Sequence, residues 1–155
     1  MSREISKAEA QAKLSEILIG CSINKVSYYI TGWDLRLIGE SGPEYSLYTS
    51  EIQIPEIEKW WNNIGELPIN LNNTNEADDT IAAINIFTVT NRWPVSSVAI
   101  SHQNNLELKF DNGCSLVMPA IVEYVDWTWH LNTESDINIV TCDSGSLYGN
   151  ESYFK

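Results

Sequence analysis

The sequence predicts an α+β fold, a single domain over residues 1–155, pseudo-duplicated as two α-βββ units with mainly antiparallel sheet and packed helices. Three observations carry this expectation. A capping box opens a helix near the N-terminus, an Asn-Gly pair sits between two runs of strict apolar alternation, and a weak internal repeat relates residues 7–52 to residues 75–149. A helix on one face of a three-stranded meander leaves sheet edges uncovered, and joining two such units lets them share a core.

Ser6 is placed to accept from the backbone N–H of Glu9 while Glu9 reaches back, and Ala10, Leu14, Ile17 and Leu18 form one stripe, which predicts a helix over 7–19 ended by Gly20. Val26, Tyr28 and Ile30 alternate with polar residues as a half-buried strand does. Leu35 and Leu37 open a second strand after Gly32, and Glu40-Ser41-Gly42-Pro43 turns the chain into a third, Tyr45 to Ile52. Pro55 suits the first position of a short helix carrying Ile57, Trp60, Trp61 and Ile64, and Leu67 to Asn75 reads as a connector. Asn75 ahead of Glu76, Asp78 and Asp79 starts another helix, running to about Thr88, with acids on the positive end of its dipole.

Trp93-Pro94 leads into a strand holding Val98 and Ile100 on one face. Leu106 to Leu116 is then a hairpin with Asn112-Gly113 as a two-residue type I′ tip, both residues at positive φ. Val125, Trp127, Trp129 and Leu131 alternate with Asp126, Thr128 and His130, so both tryptophans are expected in the core and the three polar residues on the opposite face, a candidate binding strip. A last hairpin turns at Asp143-Ser144-Gly145.

Charge separates the two halves. From Phe110 to Phe154 there are seven acidic residues and no Lys or Arg, within a net charge of −12 for the chain, whereas residues 1–59 set six cations against nine anions. Such a surface disfavours nucleic acid and anionic membrane as partners and favours a basic protein. Plain solubility is the alternative use of the same acidity. Three widely spaced cysteines, Cys21, Cys114 and Cys142, fit neither a disulfide framework nor a CxxC motif. No signal-like apolar stretch opens the chain and no window of ~18 apolar residues is present, which points to the cytoplasm.

The inventory for chemistry is thin. His102 and His130 are the only histidines, and neither lies in an HExxH spacing or beside a GxSxG motif, so the expectation is no enzyme, no metal and no cofactor. A Cys142–His130 dyad stays open, because spatial proximity is invisible in sequence. The candidate residues are instead for partner binding: Asp111, Glu123, Asp126, His130, Glu134, Asp136 and Asp143 from the cation-free segment, with Trp60 and Trp61 as aromatic anchors.

The second half, with WPVSSVAIS, LELKFDNGCSLVMPA and VDWTWHL followed by a Gly-containing hairpin, resembles a bacterial α+β domain family in which V-x-x-V, L-x-L-x-F-x-D-G-x-x-L and an acidic-x-W element recur. That family is linked to immunity proteins of polymorphic and contact-dependent toxin systems. The similarity covers residues 75–149 and, weakly, 7–52. It implies a protein that binds and neutralises a basic toxin domain, such as a nuclease, and brings no catalytic residues with it. A small-molecule-binding or hydrolytic enzyme with a pocket between the repeats, using His102 or His130, and a structural subunit of an assembly remain as alternatives.

Overall fold

The computed structural model describes residues 1–29, 31–55 and 93–155, and these described residues form two antiparallel sheets and one α-helix. The ten strands are β1 (Ser2–Glu4), β2 (Ser22–Tyr29), β3 (Gly32–Ile38), β4 (Glu44–Thr49), β5 (Val95–Ile100), β6 (Leu106–Phe110), β7 (Ser115–Met118), β8 (Trp127–Thr133), β9 (Asn138–Asp143) and β10 (Ser146–Asn150). The helix α1 spans Lys7–Leu18, and a 3₁₀ turn covers Glu151–Tyr153. The larger sheet has the order β1-β10-β9-β8-β4-β3-β2, and the smaller has the order β5-β6-β7.

This corrects the expected α+β, pseudo-duplicated α-βββ fold with packed helices. Strand makes up 51% and helix 13% of the described residues, and the architecture is sheet-dominated. Both three-strand meanders exist, but they are not equivalent: β4 pairs with β8, which draws the first into the seven-stranded sheet and leaves the second apart. Element order along a chain does not encode such long-range pairings. The helices expected after Pro55 and from Asn75, together with Trp60 and Trp61, lie outside the described residues.

The start of α1 follows its sequence closely. Ser6 Oγ accepts from the Glu9 N–H, the Glu9 carboxylate accepts from the Ser6 N–H, and Arg3 adds a 2.7 Å ion pair to the same carboxylate. Ala10, Leu14 and Leu18, spaced four apart on one face, are fully buried. They join one contiguous core with Leu35, Leu37, Leu47, Trp129 and Leu131 of the large sheet and Val95, Leu106, Leu108, Phe110 and Leu116 of the small one. Each such side chain contributes about 1.5–3 kcal/mol on burial, so sharing them among three elements is what holds the sheets together.

The small sheet's edges are covered. Gln11 Oε1 accepts the Ile100 N–H (2.9 Å), Gly20 and Cys21 bond to Val95 at the other end of β5, and Gln53 bridges to Val117 on β7.

The β6–β7 hairpin lies where the sequence puts it, but its tip does not have the expected two-residue form. Phe110 accepts from Gly113 and donates to Cys114, and of Asn112 and Gly113 only the glycine has positive φ (83°). This is a three-residue turn ending in the left-handed region. His102-Gln103-Asn104 and Glu134-Ser135-Asp136 repeat it, with Asn104 (64°) and Asp136 (58°) in place of the glycine. The type I′ tip is found instead in the β9–β10 hairpin, at Ser144 (50°) and Gly145 (81°).

Candidate functional site

Strand registers assemble one continuous row across the large sheet's outer face: Ser27, Asp34, Tyr48, His130, Thr141, Tyr148 and Glu4 stand opposite one another in β2, β3, β4, β8, β9, β10 and β1. The rows on either side of it, such as Leu35-Leu47-Leu131-Val140, point inward, because side chains alternate along every strand. A polar row over an apolar one is what a one-sided antiparallel sheet requires. Asp34, only 7% exposed, is held there by Ser46 Oγ at 2.5 Å and Arg36 Nε at 2.9 Å.

A β-bulge changes the alternation of β8. Trp127 stands opposite Asp143 and Trp129 opposite Cys142, leaving Thr128 as the extra residue. Thr128 therefore turns inward, fully buried, with its hydroxyl donating to the Ala120 carbonyl at 2.9 Å. Trp127 turns outward and is 47% exposed. Core placement was expected for both tryptophans and an exposed position for Thr128; the bulge reverses two of these three, and Trp129 and Leu131 alone stay inside.

Outside, Trp127 meets Tyr48 and His130. The Tyr48 and His130 rings stack with centroids 5.0 Å apart at 18°, and Trp127 leans on both, 5.4 Å from Tyr48 at 49° and 5.6 Å from His130 at 54°. Tyr48 is fixed further by its hydroxyl, which donates to the Thr31 carbonyl. Burial pushes the His130 imidazole below its ordinary value, with Asp34 pulling the other way, and so favours its neutral form.

The acidic residues divide between regions. Asp126 precedes β8, Asp143 ends β9, and the Ser144 N–H donates to the Asp126 carbonyl, so these two lie together beside Trp127. Glu123 is exposed on the loop between β7 and β8. Glu134 and Asp136 occupy the β8–β9 turn, about 25 Å away along the strand. Asp111 is on the β6–β7 turn of the other sheet, so the carboxylates of the cation-free segment fall into separate clusters. Among the described residues the ion pairs are Arg3–Glu9, Lys13–Glu16, Arg36–Asp34 and Arg36–Glu44, and none involves these six carboxylates.

Sequence reasoning missed two further exposed residues on the 119–126 loop. Tyr124 is 94% exposed and sits at φ 68°, a region bulky side chains avoid, while Ile121 is 74% exposed and lies over Gly145. Nothing in their local pattern marks them. Tyr48 was equally silent, since its role depends on β4 pairing with β8.

For catalysis, the sheet separates the two groups left open as a dyad. His130 stands opposite Thr141 on the outer face, and Cys142, the next residue, points into the core, where burial pushes its thiol up. His102 is exposed on the β5–β6 turn. No group of three metal-ligating side chains occurs among the described residues, and no described helix is long and apolar enough to cross a membrane. An open cleft of about 900 Å³ lies between the end of α1 and the β3–β4 turn, with Glu16, Cys21, Glu40 and Tyr45 on its walls. No protein-family model, curated protein or solved structure matches this chain.

Proposed function

We propose that this protein acts by binding, as an immunity protein that holds and neutralises a basic toxin domain. The carrying observation is the group formed by Glu123, Asp126 and Asp143, exposed or half-exposed carboxylates without ion pairs among the described residues, around the outward-facing Trp127 and Tyr124. Acidic groups of this kind accelerate encounter with a basic protein and set its orientation, while exposed aromatics supply slow dissociation. Cationic residues that a nuclease uses for phosphate contacts are the natural counterpart, and covering them blocks nucleic acid from the toxin. The motifs of residues 75–149 that resemble the immunity-linked family support the same reading.

The test is growth. Co-expression with the basic C-terminal domain of a secreted protein encoded beside this gene should restore growth to cells that the domain alone arrests. Arrest that persists despite soluble expression of this chain, or a neighbourhood without such a domain, would count against the reading.

A further inference from the structure

The corner made by Trp127, Tyr48 and His130 is fitted to one kind of side chain. Resting on the reading above that the partner is a basic protein, we propose that this corner seats an arginine of the partner, its guanidinium stacked on the Trp127 indole and donating to the Asp143 carboxylate.

Trp127 and Asp143 are directly opposite in register on the same face, which places their Cβ atoms about 5 Å apart. That is the offset at which a planar cation on the ring reaches a carboxylate with its N–H groups. Asp143 Oδ1 accepts from Ser144 Oγ at 2.9 Å, which fixes the side chain while its second oxygen makes no hydrogen bond among the described residues. Asp126, whose carbonyl accepts the Ser144 N–H, brings a second exposed carboxylate to the same end of β8 and β9, and no Lys or Arg occurs between residues 110 and 154. Among the described residues the cations on this face of the sheet are Arg36, already tied to Asp34 and Glu44, and Lys25, which stands opposite Arg36 on β2, at the edge of the sheet.

The corner is also preorganised. Tyr48 and His130 brace the indole from two sides and Tyr48 is itself anchored on Thr31, so little rotamer freedom is lost when a ligand arrives. Arginine is favoured over lysine because its flat, weakly hydrated guanidinium can stack and donate at once, whereas an ammonium is a strongly hydrated point charge. An uncharged planar group would gain the stacking but not the carboxylate.

The experiment uses the full chain labelled with ¹⁵N at its tryptophan indoles. The Trp127 signal is identified by its loss in Trp127→Phe, and the protein is titrated with N-acetyl-Gly-Arg-Gly-amide and its lysine and citrulline counterparts. The arginine peptide should shift the Trp127 signal saturably in about the millimolar range, and the lysine and citrulline peptides should each do so several-fold more weakly. Asp143→Asn should weaken the arginine response by about 5-fold or more. A Trp127 signal unmoved by arginine, or moved equally by citrulline, overturns the seat, and the wild-type titration decides this even if a variant misfolds. The two proposals fail separately. Growth protection that survives Trp127→Phe with Asp143→Asn at full strength removes the seat and keeps the immunity reading; arginine binding at Trp127 without growth protection by the wild type does the reverse.

Discussion

Replacing Thr128 by Val tests the bulge on which the outer surface depends. The two side chains have nearly the same shape, so packing around the fully buried position is kept and only the hydroxyl is lost. That hydroxyl donates to the Ala120 carbonyl at 2.9 Å, and among the described residues the remaining donor to the same oxygen is Cys142 Sγ at 3.7 Å, a weak partner. Leaving a buried acceptor so poorly served costs about 1–3 kcal/mol. For a chain of this size, about 2 kcal/mol lowers Tm by roughly 4–8 °C, and a urea midpoint falls by about 1 M at a slope near 2 kcal/mol per M. Urea unfolding followed by far-UV circular dichroism and by tryptophan emission measures it, with Thr128→Ser as the variant that keeps the bond. A Thr128→Val midpoint equal to wild type, or Thr128→Ser falling further than Thr128→Val, would show that the hydroxyl is not sealed inside and that β8 runs without the bulge.

Three other predictions follow from the same structure. Tyr124→Gly removes a bulky side chain from φ 68°, so thermal unfolding should show it about 1 kcal/mol more stable, while dissociation of the bound partner should speed up by about 10-fold as an aromatic anchor is lost. The Glu9 carboxyl is held down at about 2 by its Arg3 hydrogen bond and by Ser6; stability from this group is complete above its unfolded value near 4.3 and is lost as pH falls toward 2, so Glu9→Gln should flatten the acid limb of a Tm–pH curve in that window. His130, its pKa depressed by burial among Tyr48, Trp127 and Thr141 with Asp34 the nearby charge, takes up its proton more readily unfolded than folded; stability should therefore fall as pH drops below about 6.5, and His130→Gln should reduce that slope.

What the sequence made legible was local. The capping box at Ser6 and Glu9, the stripe of Ala10, Leu14 and Leu18, and the position of the β6–β7 hairpin are written in neighbouring residues, and they lie where the pattern places them. The fold class was not legible in the same way. Pairing of β4 with β8 and of β1 with β10 joins residues eighty or more positions apart, and no local periodicity reports it. The bulge at Thr128 is a second case: a period-two pattern from Val125 to Leu131 reads as one flat face, and a single extra residue turns Trp127 from core to surface. Asn112-Gly113 and Ser144-Gly145 show the same limit at turns, since loop length, set by strand register, decides which pair forms the two-residue tip. Of the expected binding residues, Asp126 and Asp143 come together because β8 and β9 are adjacent, whereas Asp111, Glu134 and Asp136 are carried elsewhere by the topology.

The most direct test is the association rate with the basic toxin domain, measured by stopped flow from about 20 to 300 mM salt for the wild type and for charge reversals at each cluster. Exposed charges are screened beyond about 8–10 Å at physiological ionic strength, so the wild-type rate should fall steeply across that range. Asp126→Lys with Asp143→Lys should slow association by about 10-fold or more at low salt, and more per charge than Glu134→Lys with Asp136→Lys or Glu4→Lys with Glu16→Lys. A rate indifferent to salt, or equal per-charge effects from all three pairs, would contradict recognition through the surface around Trp127.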